Sequence, residues 1–248
     1  MTEYPVGATE TTARVVEALA AGGETGVTEL AEEIGLSKAS AHNHLVTLQR
    51  LGVVVSEDGR YRLGLRFLDV GTTVRDRLPA YRAAREELTG LAESAGETVG
   101  LVVAEHGSAV YAAVRRPERN DRRVQTGSRL PLHATASGKA LLSARSPEAV
   151  ASYVEETTLA ARTDRTIQTA SALRAELRSV ADRGLAFDRG EAFEGVRGVA
   201  APVRAEGEAV AALTVVGPAA RLSGKRLEED LTGLVLSAAK RVELTLAE

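Results

Sequence analysis

Apolar positions in the first sixty residues fall into three short helical patterns followed by two strand patterns. Val15, Val16, Leu19 and Ala20 recur at one-face spacing within 11–22, and Gly22-Gly23 follows as a stop. Thr28 is placed to cap a second helix carrying Leu30, Ala31 and Ile34 and ending at Gly35. Ser37 is placed to cap a third, with Ala41, Leu45 and Leu48 inward and Gly52 beyond its end. Two β-prone runs, VVVS and RYRL, then flank Asp58-Gly59, a strong two-residue hairpin signal. The order helix, helix-turn-helix, hairpin predicts a winged helix-turn-helix over 1–63.

From Gly64 the pattern is helical again, with Pro79 marking a break. We expect a linker helix over 64–79 and a second domain over 80–248. In that domain the pattern predicts strands near 98–104, 109–115, 123–126, 185–189, 198–204 and 209–216, with a charged loop at 116–123. Helices are expected from about Ser137, near 147–155 and 169–183, and from Ser223 to Leu246. Hairpin-like spacing, as in VAAPVRAEGEAVAALTVV around Glu206-Gly207-Glu208, makes this an α+β fold with an antiparallel sheet.

Composition narrows the chemistry. Among 248 residues there is no Cys, so disulfides, thiolate nucleophiles and Cys-ligated metals are excluded. No Trp, three Phe and five Tyr leave little to stack on unpaired bases. The chain has no run of the roughly 18–20 apolar residues that a membrane span needs, and MTEYPVGATET has no basic-then-apolar leader, so a cytoplasmic protein with no membrane partner is expected. Net charge is -3, so local charge must decide any nucleic-acid affinity.

The first 63 residues carry five basic and nine acidic residues, yet none of the acids lies between Ile34 and Ser56, the window holding the third helix. On a helical wheel the outward arc of SKASAHNHLVTLQR holds Ala39, Ser40, Asn43, Val46, Thr47 and Arg50, flanked by Lys38 and His42. Asn43 suits a bidentate contact to adenine, Ser40 and Thr47 reach base edges or phosphates, and Ala39 meets a thymine methyl. Ser37 and Lys38 sit at a helix start that favours phosphate. Arg60 follows the hairpin turn where a wing touches the backbone or minor groove. His44 leans to the core edge and is expected to pack. The rival use of such a module is protein interaction.

The second domain offers little catalytic machinery. HATASGKA at 133–140 lacks the first P-loop glycine and the Ser or Thr after its Lys. The four histidines, at 42, 44, 106 and 133, show no HExxH spacing, and no GxSxG occurs. A hydrolytic trio of Ser137, His133 and Asp188 remains as an alternative. GSRLPLHATASGKALL and FDRGEAFEGVRGVAAPV instead combine a helix start rich in small residues with an acid and several glycines, which suits an anionic small molecule. The expectation is a binding site rather than an enzyme, with no cofactor and no metal.

The chain resembles the IclR family of transcriptional regulators over nearly its whole length. The resemblance rests on VTELAEEIGLSKASAHNHLVTLQRLGVV, YRLGLRFLDVG, LPLHATASGKALL and RGLAFDRGEAFEGVRGVAAPV…AALTVVGPAARL. It implies an N-terminal winged helix, a linker helix used in dimerisation and a C-terminal effector domain with a GAF-like or profilin-like sheet. It also implies dimers or tetramers on double-stranded palindromic operators, with small organic acids or catabolites as effectors. By position, the family's effector pocket falls on Leu130, Ala136, Ser137, Asp188, Val196, Gly198 and Thr214. The N–H groups near Ala136 and Ser137 would receive a carboxylate, and Asp188 and Thr214 would supply side-chain hydrogen bonds. Gly198 and Val216 stand where some members carry a thiol or hydroxyl, and His42-Asn43-His44 departs from the family's usual recognition run. The expectation is a regulator whose effector changes operator affinity through the linker around Gly64–Pro79.

Overall fold

The computed structural model describes residues 4–117 and 123–248. The chain divides into two compact units, one ending at Arg75 and the other running Asp76–Glu248.

In the first unit, α1 (Gly7–Gly22) is followed by β1 (Thr25–Gly26), α2 (Val27–Glu33), α3 (Lys38–Arg50), β2 (Val54–Glu57), β3 (Arg60–Leu63) and α4 (Arg66–Asp76). The strands form one antiparallel sheet in the order β1-β3-β2. Val15, Leu19, Leu30, Leu45, Leu48, Val54 and Tyr61 close its core. Ser37 caps α3 as the sequence predicts, its hydroxyl accepting the Ser40 N–H at 3.1 Å. Thr28 does not cap α2. That helix starts one residue earlier, where Glu29 reaches back to accept the Gly26 N–H and the Thr25 hydroxyl, each at 3.1 Å. The hairpin turns at Asp58 (φ 48°) and Gly59 (φ 77°), both left-handed, as a tight turn between twisted strands requires.

The second unit opens with α5 (Pro79–Ala95), where Pro79 occupies a first-turn position whose N–H needs no partner. β4 (Thr98–Glu105), β5 (Ser108–Arg115), β6 (Arg129–Pro131), α6 (Ala136–Ser143), α7 (Pro147–Glu156), α8 (Ala170–Arg183), β7 (Ala186–Asp188), β8 (Val196–Ala205) and β9 (Glu208–Pro218) follow. One π-helical stretch, Arg226–Asp230, leads into α9 (Leu231–Ala247). The six strands form an antiparallel sheet in the order β6-β5-β4-β9-β8-β7.

Period-2 alternation sorts this sheet into two faces. Val99, Leu101, Val199, Ala201, Val203, Leu213 and Val215 pack with α5 and α9. Val102, Ala200 and Ala212 pack with Leu132, Leu141, Leu142, Leu173 and Leu177 on the α6 and α8 side. The expected strand at 123–126 is absent. Ser128 N–H donates to the Gln125 carbonyl and Gly127 takes φ 89°, so 125–128 is a turn and the edge strand forms at 129–131. Part of the charged loop expected at 116–123 lies outside the described residues.

Candidate functional site

α3 presents the arc that the sequence assigns to it. Lys38, Ala39, His42, Asn43, Thr47 and Arg50 are exposed, Ser37 is exposed at the cap, and Ser40 is half-buried. Thr47 Oγ1 donates to the backbone carbonyl of Asn43 at 2.8 Å. His44 is half-buried with Nδ1 2.9 Å from Thr12 Oγ1 of α1, a packing position as expected. Arg60 is less free than expected: its guanidinium donates to the Glu24 carbonyl at 2.9 Å and lies 3.3 Å from the Glu29 carboxylate.

In the second unit, the sheet face under α6 carries a cleft lined by Leu130, Thr135, Ala136, Asp188, Val196 and Thr214, together with Tyr111 and Phe193. Five of the seven predicted pocket residues meet there. Ser137 is buried beside it, its hydroxyl 3.4 Å from Thr135 Oγ1. Gly198 faces the same side but contributes only space, because a Cβ there would stand 2.8 Å from Val216 Cγ1. Val216 occupies that room and lines the cleft.

Thr135 caps α6, accepting the Gly138 N–H at 2.9 Å, while the first N–H groups, of Ala136 and Ser137, have no acceptor within the helix. Gly138 is needed at this turn because a Cβ would lie 2.2 Å from the Leu132 carbonyl oxygen. In the same cleft, Asp188 is 3% exposed, and its Oδ1 accepts the N–H groups of Gly190 at 2.9 Å and Glu191 at 2.7 Å. Burial pushes its carboxyl up to about 6, the two N–H groups and Lys139 pulling the other way. The cleft thus combines the start of α6, a buried carboxyl and largely apolar walls. Its free volume here is only about 20 Å³, room for one water.

Tyr111 is the lining residue that strand alternation misplaces. It shares parity with Ala113, which faces the α5 side, but a bulge sets Val102 opposite Tyr111 and Leu101 opposite Ala113, leaving Ala112 unpaired. The ring therefore turns to the cleft, and Gly100 makes space for it: a Cβ there would be 2.9 Å from two ring carbons. Burial raises the phenol, with Ser137 opposing the shift.

The hydrolytic trio is not assembled. His133 Nδ1 lies 3.0 Å from the Tyr153 hydroxyl and Nε2 3.2 Å from the Ala160 carbonyl, so both nitrogens are engaged away from Ser137. Burial lowers its pKa. Among the described residues, no group of three or more His, Asp or Glu is placed to hold a metal ion, and no helix is long and apolar enough to cross a membrane.

A winged helix followed by an α+β unit with a buried, acid-bearing cleft is the architecture of a helix-turn-helix regulator with a separate C-terminal domain. Residues 8–58 match the IclR helix-turn-helix domain and residues 72–244 match the C-terminal domain of the bacterial transcriptional regulator IclR. The chain belongs to the IclR family of transcriptional regulators. It is 35% identical over 235 residues to the glycerol operon regulatory protein of Streptomyces coelicolor, covering 92% of each chain. It is 33% identical over 228 residues to the acetate operon repressor of Salmonella typhimurium, covering 90% of this chain and 83% of that one. The crystal structure of Thermotoga maritima IclR is similar at a TM-score of 0.82 and 26% identity, covering 98% of this chain and 99% of that one. These relatives are regulators of transcription.

Proposed function

We propose that α3 reads a palindromic operator in the major groove and that the cleft binds a small carboxylate-bearing effector which changes operator affinity. Asn43, Ser40, Ala39 and Thr47 meet base edges, while Ser37, Lys38, His42 and Arg50 hold the backbone. Arg60 joins them by exchanging Glu29 for a phosphate. The effector's carboxylate takes the Ala136 and Ser137 N–H groups, and a hydroxyl at its far end meets Asp188. Leu130, Val196 and Thr214 shape the walls, with Gly198 giving way to Val216.

A homodimer or tetramer supplies the two half-sites. α4 buries none of its residues, and Leu65, Leu68, Val70 and Val74 are all more than half exposed on or beside it. An apolar surface of this kind is met by another copy. The proposed domain plan is 1–63 for DNA, 64–79 as linker and 80–248 for the effector, the linker carrying the change.

The observation carrying the sensing reading is Asp188, a buried carboxyl held by two N–H groups in the cleft that the start of α6 also lines. The effector must bind the two states unequally. The test is titration of small carboxylic acids into the protein on its operator. Asp188→Ala should abolish the ligand response while leaving ligand-free operator affinity unchanged; an unaltered ligand affinity sinks the pocket assignment.

A further inference from the structure

A second cleft, of about 360 Å³, lies beside the first and has Val196 as a shared wall. It is far more polar, and three arginines line it: Arg165, Arg189 and Arg197. Arg189 is neutralised by Glu228 at 2.8 Å. Among the described residues, the guanidinium groups of Arg165 and Arg197 make only carbonyl contacts, to Arg189 O at 3.0 Å and Leu222 O at 3.2 Å. The Nε of Arg197 is buried with no hydrogen-bond partner among those residues, a cost that native structures rarely carry without a ligand, water or ion nearby. Asp164 and Glu194 line the same cleft, exposed, and among the described residues form no ion pair with either arginine.

Two guanidinium groups with no carboxylate partner among the described residues suit a phosphate dianion, which planar forked donors grip bidentately. The two carboxylates would repel a bare anion but accept hydrogen bonds from hydroxyl groups. We propose that this cleft is a second ligand site, for a small phosphorylated sugar or polyol, with phosphate on Arg165 and Arg197 and hydroxyls on Asp164 and Glu194. It is separate from the cleft that holds Asp188.

The test is calorimetric titration of the full chain, at constant ionic strength, with ribose 5-phosphate, ribose and inorganic phosphate. Ribose 5-phosphate should bind saturably and at least tenfold tighter than either fragment. Arg165→Ala, whose side chain holds only one exposed contact, and Arg197→Lys should each weaken it at least tenfold. Thr214→Val, in the first cleft and not lining the second, should leave it unchanged, so this site stands or falls apart from the effector reading. Arg145→Ala, an exposed arginine outside the cleft, should also change nothing. Absence of saturable binding, indifference to both Arg165→Ala and Arg197→Lys, equal loss in Arg145→Ala, or loss in Thr214→Val each overturns the proposal.

Discussion

The Lys139 ammonium, 1% exposed, lies 2.8 Å from both carboxylate oxygens of Glu191, the residue whose N–H holds Asp188. Glu176 adds a second carboxylate at 3.2 Å. This pair ties α6, whose start lines the cleft, to the turn that carries the acid, so two walls of the cleft are joined by one buried contact.

Lys139→Met leaves Glu191 buried without its cation. Loss of one partner of such a pair typically costs about 3–5 kcal/mol, and we expect a loss of that size in urea unfolding of the effector unit. Lys139→Met combined with Glu191→Leu should recover part of it. A loss under 1 kcal/mol for the single variant would show that the pair does not organise the site.

The Asp188 carboxyl keeps its proton to a higher pH when folded, at about 6, than the 3.8 of the free side chain. Its contribution to stability is therefore fully present below about pH 4 and is lost as pH rises to 6, amounting to roughly 3 kcal/mol. Asp188→Asn removes that loss. Thermal unfolding should show the variant gaining on the wild type between pH 4 and 6 and holding a constant lead above; parallel profiles would contradict the burial argument.

Phe193 is the half-buried wall of a cleft with room for one water, and its ring carries the Arg162 guanidinium 5.2 Å from its centre. Phe193→Ala should open the cleft and improve binding of bulky carboxylic acids relative to two- or three-carbon ones. A panel of acids titrated by intrinsic stability shift checks this, and an unchanged rank order would place the entry elsewhere.

His44 and Asn43 sit side by side on α3 with opposite assignments. His44→Ala should cost about 1 kcal/mol of winged-helix stability, the usual net worth of a hydrogen bond, without altering base preference. Asn43→Ala should cost about 1–3 kcal/mol at one base position, and Lys38→Ala should weaken all duplexes alike. Binding to a set of single-base operator variants separates the three.

What could be read from the sequence was local. The Ser37 cap, the Asp58-Gly59 turn and the inward set Ala41, Leu45 and Leu48 depend on neighbours a few residues away, and all three are present. Asp188 and the α6 start were legible by resemblance. Tyr111 was not, because a single bulged residue reverses its face. Neither was Lys139–Glu191, whose partners lie 52 residues apart, nor the pairing of buried Glu97 with exposed Arg221, 124 apart with contacts of 2.7 and 2.8 Å. Spacing says nothing about partners that meet only after the sheet has formed. Gly198 was legible as a position, but its role as room for Val216 emerges only when a Cβ is placed there.

If the winged helix reads a specific duplex, fluorescence anisotropy of the full chain on the DNA upstream of its own gene, against a shuffled duplex at two salt concentrations, will show it. We expect a preference of about a thousandfold or more for the native duplex, with both affinities falling steeply as salt rises. Equal affinity for the two duplexes, or binding to neither, would contradict it.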